Sequence, residues 1–244
     1  MNGHTQGQAP FPMAWWSFDL GRYRGCDGTY CYYDYTSLPP IPAVSESLDW
    51  LAPLDQRTDA QMALYRNPPE ARGEVAKIAQ SAAALGLTLP ESFVRLMDSP
   101  QLQDFVPSCT ACYFKLSADI APCPGSESGY ITRFLNDQQD VLLWYLYLTP
   151  QGGQYVLVTA IDLDEMADAA KAGTLTAEDR LNIQRNTWVC APSFVEFIYR
   201  WWLENSIWFK VSESDHAETL TDVERRYLAH YSGGAASHQG LSDG

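Results

Sequence analysis

Apolar and polar positions change their rhythm along this chain. Up to residue 73 they follow no period: Trp15-Trp16, Cys26-Asp27-Gly28-Thr29-Tyr30-Cys31 and Tyr32-Tyr33-Asp34-Tyr35 come in clumps, and Pro39-Pro40-Ile41-Pro42 and Asn67-Pro68-Pro69 break any long element. This predicts an irregular, aromatic-rich N-terminal extension over residues 1–73 that packs on the rest of the chain. It includes a short helix near residues 59–65, with Met62 and Tyr65 on one face. From Glu74 a helical period sets in. Val75, Ile78, Ala82 and Leu85 recur on one face, and Gly86 sits where a left-handed stop is expected. Thr88 and Glu91 are spaced as a capping box for a second helix through Met97, with Phe93, Leu96 and Met97 on its apolar side and Ser99-Pro100 ending it.

The middle of the chain reads as strands, at residues 113–116, 130–135, 141–148 and 155–161. Asn136-Asp137-Gln138-Gln139 and Thr149-Pro150-Gln151-Gly152-Gly153 form the turns. Val141 to Leu146 is apolar without alternation, the mark of a central strand covered on both faces. Helices are predicted at residues 162–171 and 176–186, each opening with acidic residues at the positive end of the helix dipole, and Thr176 and Asp179 are placed as a cap and its third position. After a last strand at Trp188-Val189-Cys190, Ser193 and Glu196 open a closing helix. Its inner side carries Phe194, Phe197, Ile198, Trp201 and Trp202. Residues 221–230 predict one more helix before a Gly/Ser-rich tail. The fold class expected is α+β, a mostly antiparallel sheet with flanking helices, divided as 1–73, 74–210 and 211–244.

Charge narrows the function classes. Of 244 residues, 30 are acidic and 16 basic, a formal charge of −14. Such a surface repels nucleic acid and anionic lipid and favours encounter with a basic partner. No apolar run reaches the length of a membrane span, residues 1–12 lack the layout of a secretory signal, and a cytoplasmic location is the expectation. Six cysteines are too few for a disulfide scaffold, and a reducing compartment keeps them as thiols.

Cys109-Thr110-Ala111-Cys112 has zinc-knuckle spacing, and Cys26 with Cys31 can complete four thiolates. The competing reading is that these are small apolar fillers. No other cofactor is indicated. Gly125-Ser126-Glu127-Ser128-Gly129 places Glu127 where a nucleophile elbow needs serine, and His4, His216, His230 and His238 lie outside the regular region. Neither a phosphate loop nor an H-E-x-x-H is present. A catalytic role is therefore not expected. Asp162, Asp164, Glu165 and Asp168, with Asp137 and Asp140 on a nearby turn, lack the pattern of a calcium loop. They read either as a solvated helix start or as a surface opposing lysines and arginines of a partner. Adjacent tryptophans cannot share one helix face, so Trp202 packs on the N-terminal segment or is offered to a partner.

Leu85-Gly86-Leu87 and Leu89-Pro90 before a helix carrying Phe93 and Leu96, the strand-rich middle, and Ser193-Phe194 with Phe197-Ile198 in the closing helix together resemble the SUKH superfamily, the group of the Smi/Knr cell-wall regulators and many bacterial immunity proteins. The resemblance covers residues 74–210. It departs at Asp98–Phe105, where the family usually has an acidic, glycine-bearing turn, and in the loop from Cys109 to Cys123. It implies a SUKH-like α+β fold without a catalytic centre and an inhibitor that binds a toxin, often a nuclease. The partner expected is a cognate toxin or another basic protein, met by Asp137, Asp140, Asp162, Asp164, Glu165, Asp168 and Trp202. A regulatory or scaffolding adaptor and a zinc-stabilised interaction module are the alternatives.

Overall fold

The computed structural model describes residues 9–53, 75–211 and 219–232. Alternation along its central strand sets the architecture. In β6 (Leu143–Leu148), Trp144, Leu146 and Leu148 face one apolar cluster while Leu143, Tyr145 and Tyr147 face another. All six residues are buried, because the sheet has cover on both sides as the unbroken apolar run predicts. β6 lies between β5 (Tyr130–Asn136) and β7 (Gln154–Thr159), and β8 (Thr187–Ala191) pairs with β7. Two short strands, β3 (Tyr113–Phe114) and β4 (Ala121–Pro122), pair with opposite ends of β5. Every ladder in this sheet is antiparallel.

The first face is covered by α1 (Val75–Ala84), α2 (Glu91–Asp98) and the long α6 (Phe194–Val211). Phe194, Phe197, Ile198 and Trp201 of α6 are buried there, with the Trp201 ring 5.2 Å from that of Trp144. The second face is covered by α4 (Leu163–Lys171) and α5 (Ala177–Arg185) through Leu163 and Ile183, with Met166 packed beside them. A bulge in β5 inserts Phe134 between Arg133, opposite Tyr145, and Leu135, opposite Trp144. Phe134 joins the rings of Phe93, Phe194 and Phe197 at 6.2, 5.1 and 5.5 Å. A helix α7 (Asp222–Ser232) packs Tyr227 and Leu228 into the first cluster, beside Leu220 just ahead of it. Among the described residues no helix is long and apolar enough to cross a membrane.

Several expectations are corrected. The N-terminal part is not irregular throughout: β1 (Ala14–Ser17) and β2 (Cys31–Asp34) form an antiparallel pair, with Trp15 and Trp16 buried in it. The lead into β1 docks on the sheet edge, where the Val189 amide donates to Pro12 O at 2.8 Å. Thr88 does not cap α2. Pro90 occupies the cap without a side-chain bond, and Glu46 reaches across from the N-terminal segment to accept from the Ser92 amide at 3.0 Å and from its hydroxyl. Leu85 is 40% exposed, outside the face it was expected to share. Ser99 ends α2 but also caps a further short helix, α3 (Pro100–Asp104). The capping box at Thr176 and Asp179, the stop at Gly86 with φ +69°, and the Ser193 cap, whose hydroxyl accepts from the Glu196 amide at 3.3 Å, are as expected. The helix expected at residues 59–65 and the tail beyond Ser232 lie outside the described residues.

Candidate functional site

The acidic residues singled out from sequence divide by environment. Asp162 is the N-cap of α4, its carboxylate accepting from the Asp164 and Glu165 amides at 2.9 and 3.3 Å. The sheet supplies its counter-charge. Arg133, opposite Tyr145 in the ladder and so on this side, donates to Asp162 at 2.9 Å and lies 3.2 Å from Asp164. Ser117 donates to both Asp164 oxygens and accepts from the Arg133 amide, while the Tyr145 hydroxyl accepts from the Leu163 amide. Burial raises the Asp164 carboxyl above its ordinary value, with Arg133 and Ser117 pulling the other way. These contacts pin the start of α4 to the sheet. They leave Asp162 and Asp164 partly accessible, and Glu165 and Asp168 fully on the outside.

Asp137 does not belong to that surface. It is 3% exposed, accepting from the Tyr30 hydroxyl at 2.7 Å and from the Gln139 amide at 2.8 Å. It closes the β5–β6 turn, in which exposed Asp140 takes a left-handed φ of 56°. Trp202 is not an open platform either. Its Nε1 donates to Ala52 O at 3.1 Å, and its ring packs with Trp50 and Tyr199 at 5.8 and 6.0 Å. Of the two options open for it, packing on the N-terminal segment is the one found.

The four-cysteine zinc reading is overturned by covalent chemistry. Cys26 and Cys31 are joined to each other in a disulfide, which removes two of the thiolates a tetrahedral site needs and corrects the expectation of six free thiols. Among the described residues no group of three or more His, Cys, Asp or Glu side chains could hold a metal ion. Cys109 and Cys112 lie in a turn where Ala111 has φ 57°. The Cys112 sulfur is 3.2 Å from the Tyr30 hydroxyl. Burial pushes the Cys112 thiol up to about 11 and the Cys109 thiol well above its ordinary value. Both stay protonated at neutral pH, the less reactive state of a thiol.

One polar constellation had no counterpart in the sequence reading. Glu204, on the inner face of α6 and 0% exposed, accepts from Trp15 Nε1 at 2.9 Å, Ser17 Oγ at 2.6 Å, Tyr227 OH at 2.5 Å, and both terminal nitrogens of Arg24 at 2.5 and 2.7 Å. Arg24, itself 1% exposed, also donates to Phe18 O and the Tyr231 hydroxyl, and Arg200 donates to the Tyr227 hydroxyl at 2.9 Å. Burial alone would raise the Glu204 carboxyl. The Arg24 charge and hydrogen bonds from Arg24, Ser17 and Tyr227 instead hold it below its usual range. The signal for this site was a glutamate three residues beyond Trp201 on the apolar face of a helix. Its partners are scattered over about 200 positions of chain, so spacing alone does not assemble them.

No family model matches this chain, and neither does any curated protein or solved structure. What stands on the structure is the α+β class with its antiparallel sheet and helices.

Proposed function

We propose that this chain is a non-catalytic protein-binding module of SUKH-like type, an immunity protein that neutralises a basic, nuclease-type toxin by stoichiometric capture. The observation that carries the reading is how charge divides between inside and outside. Arg24, Arg133 and Arg200 are consumed in internal contacts with Glu204, Asp162, Asp164 and Tyr227. Among the described residues Asp140, Glu165 and Asp168 stand exposed, in a chain whose formal charge is −14. A surface of this sign speeds encounter with a cationic partner and fixes its orientation more than it sets final affinity. Asp162 and Asp164, tied to Arg133, are the rigid part of that surface.

The test is binding to the nuclease toxin domain that this proposal expects to be encoded beside the gene, measured at rising salt. The expected result is a 1:1 complex that blocks nuclease activity and whose association rate falls steeply with ionic strength. Absence of a complex at low salt rejects the proposal. A complex indifferent to salt rejects the electrostatic part of it.

A further inference from the structure

The Cys26–Cys31 disulfide and the buried Glu204 carboxylate belong to one closed circuit. Cys31 is the ladder partner of Ser17, whose hydroxyl donates to Glu204 at 2.6 Å. Cys26 lies two residues beyond Arg24, whose guanidinium holds the same carboxylate at 2.5 and 2.7 Å. The S–S bond joins these two arms. Between the two cysteines the chain is a loop in which Asp27, Gly28 and Thr29 are all exposed. Arg24 is further positioned by its own carbonyl, which accepts from the Leu20 amide at 2.7 Å, and by the Tyr33 ring 4.2 Å beneath its guanidinium. The Tyr33 hydroxyl donates to Gly25 O at 3.0 Å.

The same circuit grips the last helix. Tyr227 of α7 donates to Glu204, and Tyr231, one turn on, accepts from Arg24 at 3.1 Å. The beginning of α7 has a separate anchorage: Glu224 accepts from Lys210, Ser206 and the Thr221 amide. Both ends of this helix rest on α6, but only its C-terminal half also touches Arg24 and through it the disulfide-tied segment.

We infer that the Cys26–Cys31 disulfide is a redox-sensitive latch that, through Arg24 and Glu204, sets how firmly the C-terminal half of α7 is docked. Cys26 is the more accessible cysteine and Cys31 is buried, so a dithiol reductant attacks the Cys26 sulfur. The S–S bond breaks and its electron pair passes to the Cys31 sulfur, which takes up a proton. The second thiol of the reductant then displaces Cys26 as a thiol, leaving the reductant as its own disulfide. With the tie cut, the loop that delivers Arg24 regains conformational freedom and the hold on Tyr231 and Tyr227 weakens. This inference is independent of the partner proposed above.

The experiment is hydrogen exchange on the intact chain before and after treatment with dithiothreitol under native conditions, with alkylation and mass analysis to count thiols. Before treatment Cys26 and Cys31 are expected to resist alkylation. After it, exchange at residues 227–232 is expected to quicken at least tenfold, with residues 221–225 changing less and residues 143–159 unchanged. Reoxidation restores the original pattern. Arg24→Ala in the oxidised protein is expected to reproduce the effect without touching sulfur. Free Cys26 and Cys31 at the outset overturn the inference. So does unchanged exchange in α7 on reduction, or equal acceleration of all three segments. If Arg24→Ala fails to fold, reduction of the wild-type chain decides alone.

Discussion

Arg24 and Arg133 are both arginines held by carboxylates and neighbouring hydroxyls, yet one lies under the first face of the sheet and the other at the rim of the second. Arg24 has lost contact with water, and its pair with Glu204 is completed by Trp15, Ser17 and Tyr227. Arg133 keeps its side chain 13% exposed, and its partners Asp162 and Asp164 keep 29% and 25%. Burial strengthens a charge pair but also raises the cost of breaking it, because a lone charge left inside cannot be hydrated. The deep site therefore resists change in one partner at a time, whereas the rim site tolerates change and stays open to other molecules.

The largest expected effect breaks the deep site. Glu204→Ala strands Arg24 and should cost about 3–5 kcal/mol in urea denaturation. Joint replacement Arg24→Met with Glu204→Leu should lose far less. Equal losses would mean that the hydrogen bonds from Trp15, Ser17 and Tyr227, and not the charge, dominate. Acid then sharpens the contrast by sign. Glu204 is held below its ordinary 4.5, so its contribution is complete above that value and disappears as pH falls further. Asp164 is raised above 3.8, so its contribution is complete below 3.8 and is lost as pH climbs through its folded value. Glu204→Gln should accordingly flatten the acid limb of a stability–pH profile, and Asp164→Asn should remove a decline on the higher side. Matching profiles for the two variants would erase the distinction.

At the rim, Asp162→Ala removes the α4 cap and one Arg133 contact, an expected loss of about 1–2 kcal/mol in thermal or urea unfolding. A loss as large as that of Glu204→Ala would make the two sites equivalent. The smallest effect on folding comes from Glu165→Lys with Asp168→Lys, expected within about 0.5 kcal/mol of wild type. The same pair should slow association with a basic partner several-fold, measured by stopped flow at low salt. An unchanged rate would remove α4 from the capture surface.

How far the sequence discloses this molecule follows from the range of the interactions involved. β6 was legible because burial on two faces writes itself into consecutive residues, and α5 because Thr176 and Asp179 cap it within one turn. The β1–β2 pair was not, since Trp16 and its partner Tyr32 are separated by a long irregular stretch and Trp15 and Trp16 show no alternation. The cap of α2 was misplaced at Thr88 because its real donor of charge, Glu46, comes from a segment with no local signal. Among the candidate contact residues, Asp140, Glu165 and Asp168 are exposed, which either reading of the acidic cluster expects, while Asp137 is absorbed by the turn it closes. Arg133 is not legible as the partner of Asp162 because 29 positions separate them and only the pairing of β5 and β6 brings them together.

That bulge also fixes where this chain can lose a residue. The ladder is in register on both sides of Phe134, with Arg133 opposite Tyr145 and Leu135 opposite Trp144. Excising Phe134 would leave every flanking side chain on the layer it already occupies, at the expense of a hole among Phe93, Phe194 and Phe197. Excising Ile131 or Thr132 instead would exchange one buried face of the sheet for the other along that end of the strand. Length variation in this strand is thus confined to one position, and the aromatic hub is its marker.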